Sequence, residues 1–576
     1  MNGPARAGRD TRWVPPVAGL LCALVGLVDL ASALSHANRS RLHALTAVVP
    51  GALTNASAAA TLVVGILLLL LARALRRRKR RAWRAVVGLL AGSVALHVLK
   101  GLDVEEAALA AAFLIALVVW RDEFQAKGDP RTRWRAVAAF LGLLSASVGL
   151  GLLLVGLRHE ELTGPFELRP ALEHVVVGLV GVEGPLRWES DQRGRQADDL
   201  VSDALLALGV FTTVCTAYLI LRPAEPRPFL STEDEERMRA LLATHGKRDS
   251  LGYFALRRDK SVVWSPTGKA CIAYRVLSGV MLASGDPLGD PEAWPGAISA
   301  FLETAAEHAW VPAAMGCSEL AGMAWTRAGL TALEIGDEAI VEVDQFQLDG
   351  RPMRNVRQAV ARVERAGYAC SVRRIGDIAP DEEQSLRRQA EAWRGTETER
   401  GFSMALGRLG EARDGDCVVV LATQDGVLRA FLHFVPWGDD GLSLDLMRRD
   451  RAADNGVNEL LIVRAIEAAP SLGVRRLSLN FAVFRSTFER GERLGAGPFL
   501  RAWRALLVFA SRWFQIESLY RFNAKFRPVW EPRFVCYPTA RDLPRVAVAA
   551  LEAEAFLVWP RFPWLVRRDH RPVTAG

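Results

Sequence analysis

Residues 200–230 read LVSDALLALGVFTTVCTAYLILRPAEPRPFL, and the change of character at Arg222 divides the whole chain. Before it, apolar runs follow one another. After it, the sequence is water-soluble in composition and punctuated by turn residues. About 20 apolar residues in a helix cross roughly 30 Å of hydrocarbon. Spans are therefore expected near Val14–Leu34, Ala56–Leu75, Ala82–Leu99, Glu106–Trp120, Ala136–Leu157 and Leu200–Leu221, about six in all. Asp103, Glu105 and Glu106 crowd the mouth of the short fourth one.

Orientation follows from the basic residues, because short loops rich in Lys and Arg stay cytoplasmic. Arg6, Arg9 and Arg12 precede the first span, Arg76–Arg81 follows the second, and Arg121, Lys127, Arg131, Arg133 and Arg135 follow the fourth. All lie on one side if every span crosses. Arg158–Gln196 is then extracytoplasmic, and everything after Arg222 is cytoplasmic. Asp29 interrupts the first run, and no small-residue cleavage site leads into a soluble domain, so that run reads as a retained anchor of a multi-pass cell-membrane protein.

Composition agrees with the division. A length of 576 residues exceeds one ordinary domain, the 50% hydrophobic content reflects the spans, and a net charge of +8 leaves the chain basic. Basic surface attracts anionic lipid and RNA alike, and charge alone does not separate them. The seven cysteines are scattered, without a C-x-x-C pair or Cys/His ligand spacing, and read as reduced packing residues. No metal site is expected. The resulting division is a membrane domain over 1–222, a linker over 223–236, modules over 237–378 and 379–556, and a tail over 557–576.

The soluble part states one plan twice. A helix at Met238–His245 precedes strands at Tyr253–Arg257, Ser261–Trp264, Ala270–Leu277 and Val280–Ser284, the last two joined by Ser278-Gly279. Gly285-Asp286-Pro287 breaks the strand, Pro291–His308 has helical periodicity, and Val311–Cys317 reads as a buried strand. A helix at Asp381–Trp393 opens the second copy, with strands at Cys417–Thr423 and Leu428–Val435 around Asp425-Gly426, a third strand at Leu442–Met447, a helix at Gly456–Ala468 and a strand at Val474–Phe481. The expected fold class is a multi-span helical membrane domain followed by a cytosolic α+β region of two tandem GCN5-like acyltransferase folds. That order is the one of acyl-CoA-dependent N-acyltransferases, but the nearest match to their pyrophosphate loop, Arg493-Leu494-Gly495-Ala496-Gly497, has the wrong spacing. A coenzyme-A donor is disfavoured, and no cofactor is expected.

Six stretches occur in one order: Asp249-Ser-Leu-Gly-Tyr-Phe-Ala-Leu256, Gly285-Asp-Pro-Leu-Gly-Asp-Pro-Glu-Ala-Trp294, Glu399-Arg-Gly-Phe-Ser-Met-Ala-Leu-Gly407, Ser443-Leu-Asp-Leu-Met-Arg-Arg449, Ser478-Leu-Asn-Phe-Ala-Val-Phe484 and Glu517-Ser-Leu-Tyr-Arg-Phe-Asn-Ala-Lys-Phe-Arg-Pro528. Over nearly all of Leu230–Phe556 the chain closely resembles the phosphatidylglycerol lysyltransferase (multiple peptide resistance factor) family. The resemblance implies transfer of an aminoacyl group from a charged tRNA to the glycerol headgroup of phosphatidylglycerol at the inner leaflet. The implied partners are aminoacyl-tRNA, phosphatidylglycerol and the bilayer. The implied outcome is a less negative surface and resistance to cationic peptides. Longer family members carry a further block of spans, and some carry a fused lysyl-tRNA synthetase; this chain is too short for either.

An aminoacyl ester is already activated, so its transfer needs positioning, a proton acceptor and oxyanion donors rather than ATP or redox chemistry. Asp445 and Arg448 are the expected catalytic pair, the family's Asp-x-x-Arg unit by resemblance. Asp445 is read as orienter of the aminoacyl ammonium or as general base, and Arg448 as a clamp for phosphate or ester oxygen. In a regular strand Ser443, Asp445 and Met447 share a face, with Arg448 and Arg449 at its end; the plain alternative is a turn ion pair.

Lys525 and Arg527 stand two apart, so an extended segment aims both cations one way, with Tyr520, Phe522 and Phe526 as stacking faces. A solvated basic face over an aromatic core is the alternative. Asn458 and Glu459 open a helix whose N–H groups suit an anion, although Asn455 and Asn458 also read as turn and cap residues. Asn480 and Arg485 flank the last strand of the second module, and Glu517 completes the substrate-binding candidates with Arg449. Asp337 and Glu338 read as paired carboxylates at a turn. Ser403 is set aside as a nucleophile, because no His is placed to activate it. His245, His308 and His433 read as isolated caps or packed side chains.

Two other readings share these features: a lipid transporter with a regulatory soluble domain, and tRNA-dependent transfer to a non-lipid acceptor. The spans lack the repeated halves and Gly/Pro-broken helices of transporters. The transferred amino acid is open among lysine, alanine, arginine and ornithine, with lysine favoured by resemblance.

Overall fold

The computed structural model describes residues 13–34, 51–76, 78–100, 104–124, 132–221, 226, 228–395, 401–483 and 516–557. The chain forms two compact units that divide near residue 224.

In the first unit lie α1 (Val14–Leu34), α2 (Gly51–Arg76), α3 (Arg80–Lys100), α4 (Val104–Val119), α5 (Thr132–Leu157), α6 (Leu168–Gly178) and α7 (Gln192–Leu221). Every expected span coincides with a helix, and α6 falls in the segment expected to connect the fifth and sixth. Among the described residues, Val137–Leu157 and Gln192–Ala217 are long and apolar enough to cross a membrane. Small residues set the packing of α1 on α2. A Cβ on Gly26 would stand 2.8 Å from the Gly65 carbonyl, so the backbones touch, as in closely packed membrane helices. Between α5 and α7 a buried hydrogen bond of 2.9 Å joins the hydroxyls of Ser147 and Thr212. Asp29, His97, Lys100 and Asp103, polar groups that are costly in lipid and so expected from the sequence to face a helix interface or the lipid entry path, have side chains outside the described residues.

The second unit is built on one sheet. Its strands are β1 (Ser261–Trp264), β2 (Ala270–Leu277), β3 (Val280–Ser284), β4 (Leu288–Gly289), β5 (Val311–Cys317), β6 (Thr331–Glu342), β7 (Tyr368–Arg374), β8 (Val418–Gln424), β9 (Val427–Trp437), β10 (Gly441–Arg449), β11 (Arg476–Val483) and β12 (Val529–Tyr537). They run in the order β1-β2-β3-β5-β12-β6-β11-β10-β9-β8-β7, with β4 on β2. The helices are α8 (Thr232–His245), α9 (Trp294–Glu307), α10 (Glu319–Arg327), α11 (Arg354–Arg365), α12 (Pro380–Trp393), α13 (Val457–Ala468), α14 (Ile516–Ala524) and α15 (Leu543–Ala553).

Two hairpins follow directly from their turns. Ser278 and Gly279 have φ of 48° and 70°, and Asp425 and Gly426 of 53° and 74°. Two positive φ values in succession make the type I′ turn whose twist matches the flanking strands. In each half a helix then links parallel neighbours, β3 to β5 and β10 to β11. The middle of the sheet departs from a simple tandem arrangement. Strand β6 pairs with β11, and the late strand β12 inserts between β5 and β6. The segment expected as a strand at Tyr253–Arg257 is instead a buried 3-10 turn, Gly252–Leu256. Its carbonyls at Phe254 and Leu256 accept from Lys260 and Arg408 rather than from a neighbouring strand.

Gly289 shows how tightly this unit is drawn. With φ of +99° and a hypothetical Cβ 2.2 Å from the Lys269 carbonyl, no side chain fits. Gly289→Ala is expected to cost about 2 kcal/mol or more, read as a lowered thermal midpoint of the full chain in detergent; an unchanged midpoint contradicts it.

Candidate active site

Strands β10 and β11 pair only through Gly441–Arg476, Leu442–Leu477 and Ser443–Ser478. Beyond that they diverge, because both slip against their outer partners: β10 against β9 between Leu444 and Leu446, and β11 against β6 between Ser478 and Phe481. Diverging strands leave main-chain donors and acceptors without a ladder, available to a ligand. Asn480 stands in the gap with φ of 70°, its Nδ2 donating to the carbonyls of Leu444 and Met404 at 3.1 Å each. The equivalent place in the first half is closed. There β3 and β5 pair from Val280–Val311 through to Ser284–Met315, and the Gly285 N–H continues to the Met315 carbonyl at 2.8 Å.

Asp445 is the extra residue of the β10 bulge. Its side chain is fully buried, with Oδ2 2.7 Å from His433 Nδ1 and Oδ1 accepting the Leu406 N–H at 2.7 Å. His433, also fully buried, has no hydrogen-bond partner at Nε2 among the described residues. Two expectations are corrected here. His433 is not isolated, because β9 lies beside β10 and carries it to the carboxylate. Nor do Ser443, Asp445 and Met447 share a face: the bulge turns Met447 into the core behind the sheet, while the Ser443 hydroxyl donates to the Ser250 carbonyl on the other side at 2.7 Å.

Behind the gap sits a buried ionic cluster. Arg533 on β12 is 2% exposed, and Glu338 on β6 is fully buried. The guanidinium donates from Nε to Glu338 at 2.9 Å, from Nη1 to Asp249 at 2.8 Å and from Nη2 to the Ser250 hydroxyl at 2.7 Å. Glu338 also accepts from the hydroxyls of Ser250 and Ser478. Glu338 is therefore not at a turn with Asp337, because β6 runs through both residues between β11 and β12. Asp286 accepts the Ser318 N–H at 2.7 Å, and burial together with the Asp249 charge pushes its carboxyl up to about 7 against the pull of Arg533. The loop over the gap is held by Glu554 at the end of α15, which accepts from Phe402 N–H at 2.7 Å and Ser403 Oγ at 3.0 Å. Burial raises the Glu554 pKa. The same burial pushes Lys260, bonded to Ser284 Oγ at 2.7 Å, down to about 7.

A second ionic group ties α8 to this loop. Asp414, 1% exposed, accepts from Arg239 at 2.6 Å, Arg408 at 2.7 Å and the Tyr253 hydroxyl at 2.8 Å. Although burial alone would raise its pKa, the guanidinium groups of Arg408 and Arg239 prevail and hold it down to about 2. A carboxylate depressed in the folded state stabilises above its unfolded pKa and loses that contribution as pH falls through the folded value. Asp414→Asn is thus expected to cost about 2 kcal/mol at pH 7 and to flatten the loss of stability between about pH 4 and pH 2. Acid unfolding of both proteins measures this, and an unchanged acid profile contradicts it.

The remaining expected residues are placed as follows. Arg448 is half-buried, its Nη1 donating to the Met447 carbonyl at 3.2 Å, and Arg449 is exposed at the strand end. Lys525 and Glu459 meet as an ion pair of 2.8 Å. Lys525 and Arg527 do not share an extended face, because α14 ends at Ala524 and Arg527 adopts φ of 53° in the following turn. The aromatic residues pack on each other: Tyr520 on Trp530 at 5.2 Å, and Phe522 on Phe526 at 5.6 Å. Gly456, with φ of 109°, rather than an Asn side chain, caps α13, and Asn458 Oδ1 is buried without a partner among the described residues. Arg485 lies outside the described residues, as does the side chain of Glu517. Sequence reasoning missed His433, Arg533, Ser250 and Asp249 as members of the site. Asp249 and Ser250 were at least inside a quoted motif; Arg533 had only the signal of a lone cation in the apolar alternation of β12.

Comparison with known proteins places this geometry. A family model described as phosphatidylglycerol lysyltransferase, C-terminal, matches residues 239–537, and one described as the transmembrane region of lysyl-tRNA synthetase matches residues 10–218. The first unit is therefore a membrane region. A lysylphosphatidylglycerol biosynthesis bifunctional protein of Rhodococcus opacus is 47% identical over 447 residues, 77% of this chain and 40% of that protein. One of Mycolicibacterium gilvum is 41% identical over 580 residues, 98% of this chain and 51% of that protein. The chain thus spans about half or less of the length of these curated relatives. Among solved structures, that of L-PGS from Bacillus licheniformis has the same fold over 58% of this chain and 99% of its own, with 22% identity and a TM-score of 0.50. With more than half of its residues under the first of those family models and the sheet to match, the chain belongs to the phosphatidylglycerol lysyltransferase family.

Proposed function

We propose that this protein transfers an aminoacyl group, lysyl by the names of its relatives, from aminoacyl-tRNA to the glycerol headgroup of phosphatidylglycerol. The observation that carries the reading is the His433–Asp445 pair at the opening between β10 and β11, within the stretch the family model covers. Both Asp445 oxygens are engaged, so the basic atom left for chemistry is His433 Nε2, which is buried in this structure and is reached by substrate once the loop carrying Leu406 moves aside. A headgroup hydroxyl attacks the ester carbonyl carbon and gives its proton to that nitrogen. The tetrahedral intermediate collapses by breaking the bond to the tRNA ribose oxygen, and the ribose oxygen takes the proton back. Asp445 fixes the imidazole tautomer, and Arg448, with Asn480 and Arg449 nearby, offers charge and donors to the ester oxygen and RNA end. Asn458, Glu459, Lys525, Arg527, Arg485 and Glu517 belong to the same proposed substrate-binding set.

The larger frame is proposed with it: six spans, a cytoplasmic unit after residue 222, and two GCN5-like modules over 237–378 and 379–556, the second carrying the active centre. The matching strand-helix-strand order of the two halves supports the modules, and the clustering of Arg and Lys in alternate loops supports the topology. Full-length protein in phosphatidylglycerol vesicles, supplied with lysyl-tRNA, is expected to form a ninhydrin-positive phospholipid, at a rate that falls steeply with salt. No new lipid, or equal incorporation into non-lipid acceptors when phosphatidylglycerol is omitted, overturns the reading.

A further inference from the structure

Helix α11 carries two opposed faces. Val356, Val360 and Val363 are buried in the core shared with β8, β9 and α13. At 3.6 residues per turn, Arg354, Arg362 and Arg365 fall within roughly an 80° arc opposite that seam. All three are exposed, as is Arg351 in the turn just before the helix. None of the four is ion-paired with a carboxylate among the described residues. Arg362 Nη2 donates to the Asn455 carbonyl at 2.7 Å and Arg365 Nε to the Ala361 carbonyl at 3.1 Å, contacts that leave the charge uncompensated. The one acidic residue of the helix, Glu364, is taken by Arg464.

We propose that this arginine stripe is the docking surface for the backbone of a double-stranded RNA stem, steering the donor tRNA into the gap beside Asp445. The inference rests on the aminoacyl-tRNA reading above and assigns it a surface. Placement supports it: Asn455, which Arg362 touches, ends the loop leading from β10 into α13, and ten residues of chain separate it from Asp445, a span of at most about 35 Å. Chemistry supports RNA over a lipid surface. A helix that lies on a bilayer needs large apolar side chains beside its cations, whereas the residues interspersed on the outer side here are Asn355, Gln358 and Ala361, and the valines are committed to the core. Guanidinium groups bind phosphate oxygens bidentately, and a row of them follows a backbone without reading sequence.

The test is the full chain with Arg351, Arg354, Arg362 and Arg365 all changed to Gln, compared with the unchanged protein in phosphatidylglycerol vesicles. With full-length lysyl-tRNA, KM is expected to rise at least tenfold while kcat stays within twofold. With a lysylated terminal trinucleotide, which has no stem, neither constant should move. The salt dependence of binding uncharged tRNA should become shallower by about 3 in log–log slope. An unchanged KM and slope overturns the assignment, as does an equal rise with the trinucleotide. A raised KM for phosphatidylglycerol without any tRNA effect identifies a membrane surface instead. If the unchanged protein makes no lipid product, the function fails, and the binding measurement with uncharged tRNA still decides the surface.

Discussion

Asp445→Ala is expected to lower the single-turnover rate of lipid aminoacylation by about 10²–10³, equivalent to about 3–4 kcal/mol of transition-state stabilisation. The effect is large because one substitution removes two contacts at once. It frees the His433 ring, whose Nδ1 is held at 2.7 Å, and it releases the Leu406 N–H that fixes the loop over the gap. His433→Gln tests the same pair from the other side: its amide keeps a donor for Asp445 but offers no basic nitrogen, so kcat should fall comparably with little change in KM. Rapid-quench assays with enzyme in excess over lysyl-tRNA measure the single-turnover rate, and steady-state assays with lysyl-tRNA in excess measure kcat and KM. Turnover of Asp445→Ala within fivefold of the unchanged protein removes Asp445 from the chemistry.

Arg533→Met has the largest expected effect on stability, a loss of about 3–5 kcal/mol, because it leaves buried carboxylates without their cation. Glu338 is wholly inaccessible and Asp249 is 6% exposed, so water does not replace the guanidinium. The double change Arg533→Met with Glu338→Gln should recover part of the loss, since the remaining amide still accepts from the hydroxyls of Ser250 and Ser478. Thermal unfolding of the full chain in detergent reads both variants, and a single variant as stable as the unchanged protein shows the cluster to be without structural weight.

The hairpins, and those helices the sequence did mark, were legible because they are local. Apolar runs marked every named helix of the first unit but α6, and the expected strands Ala270–Leu277, Val280–Ser284 and Val311–Cys317 are β2, β3 and β5 as found. The Ser278-Gly279 and Asp425-Gly426 turns were readable because their residues tolerate positive φ. Within the proposed site, the stretch Ser443–Arg449 was legible as the strand that carries Asp445. The expected face shared with Met447 was wrong because a bulge adds a residue to one strand, which no alternation pattern reveals. Lys525 and Arg527 were misplaced for a similar reason. Their two-residue spacing implies a common face only in an extended chain, and this segment is a turn at the end of a helix.

By itself the sequence determined the membrane region, those elements with a clear local pattern, such as β2, β3, β5 and α13, and the family, all properties of neighbouring residues or of linear motifs. Only the tertiary structure decided that β12 inserts between β5 and β6, that His433 meets Asp445, and that Arg533 bonds Asp249 across 284 positions of chain. Each of these depends on which strands lie side by side and in which register. That is settled by burying the two faces of a shared sheet together, and a local pattern of residues carries no record of it.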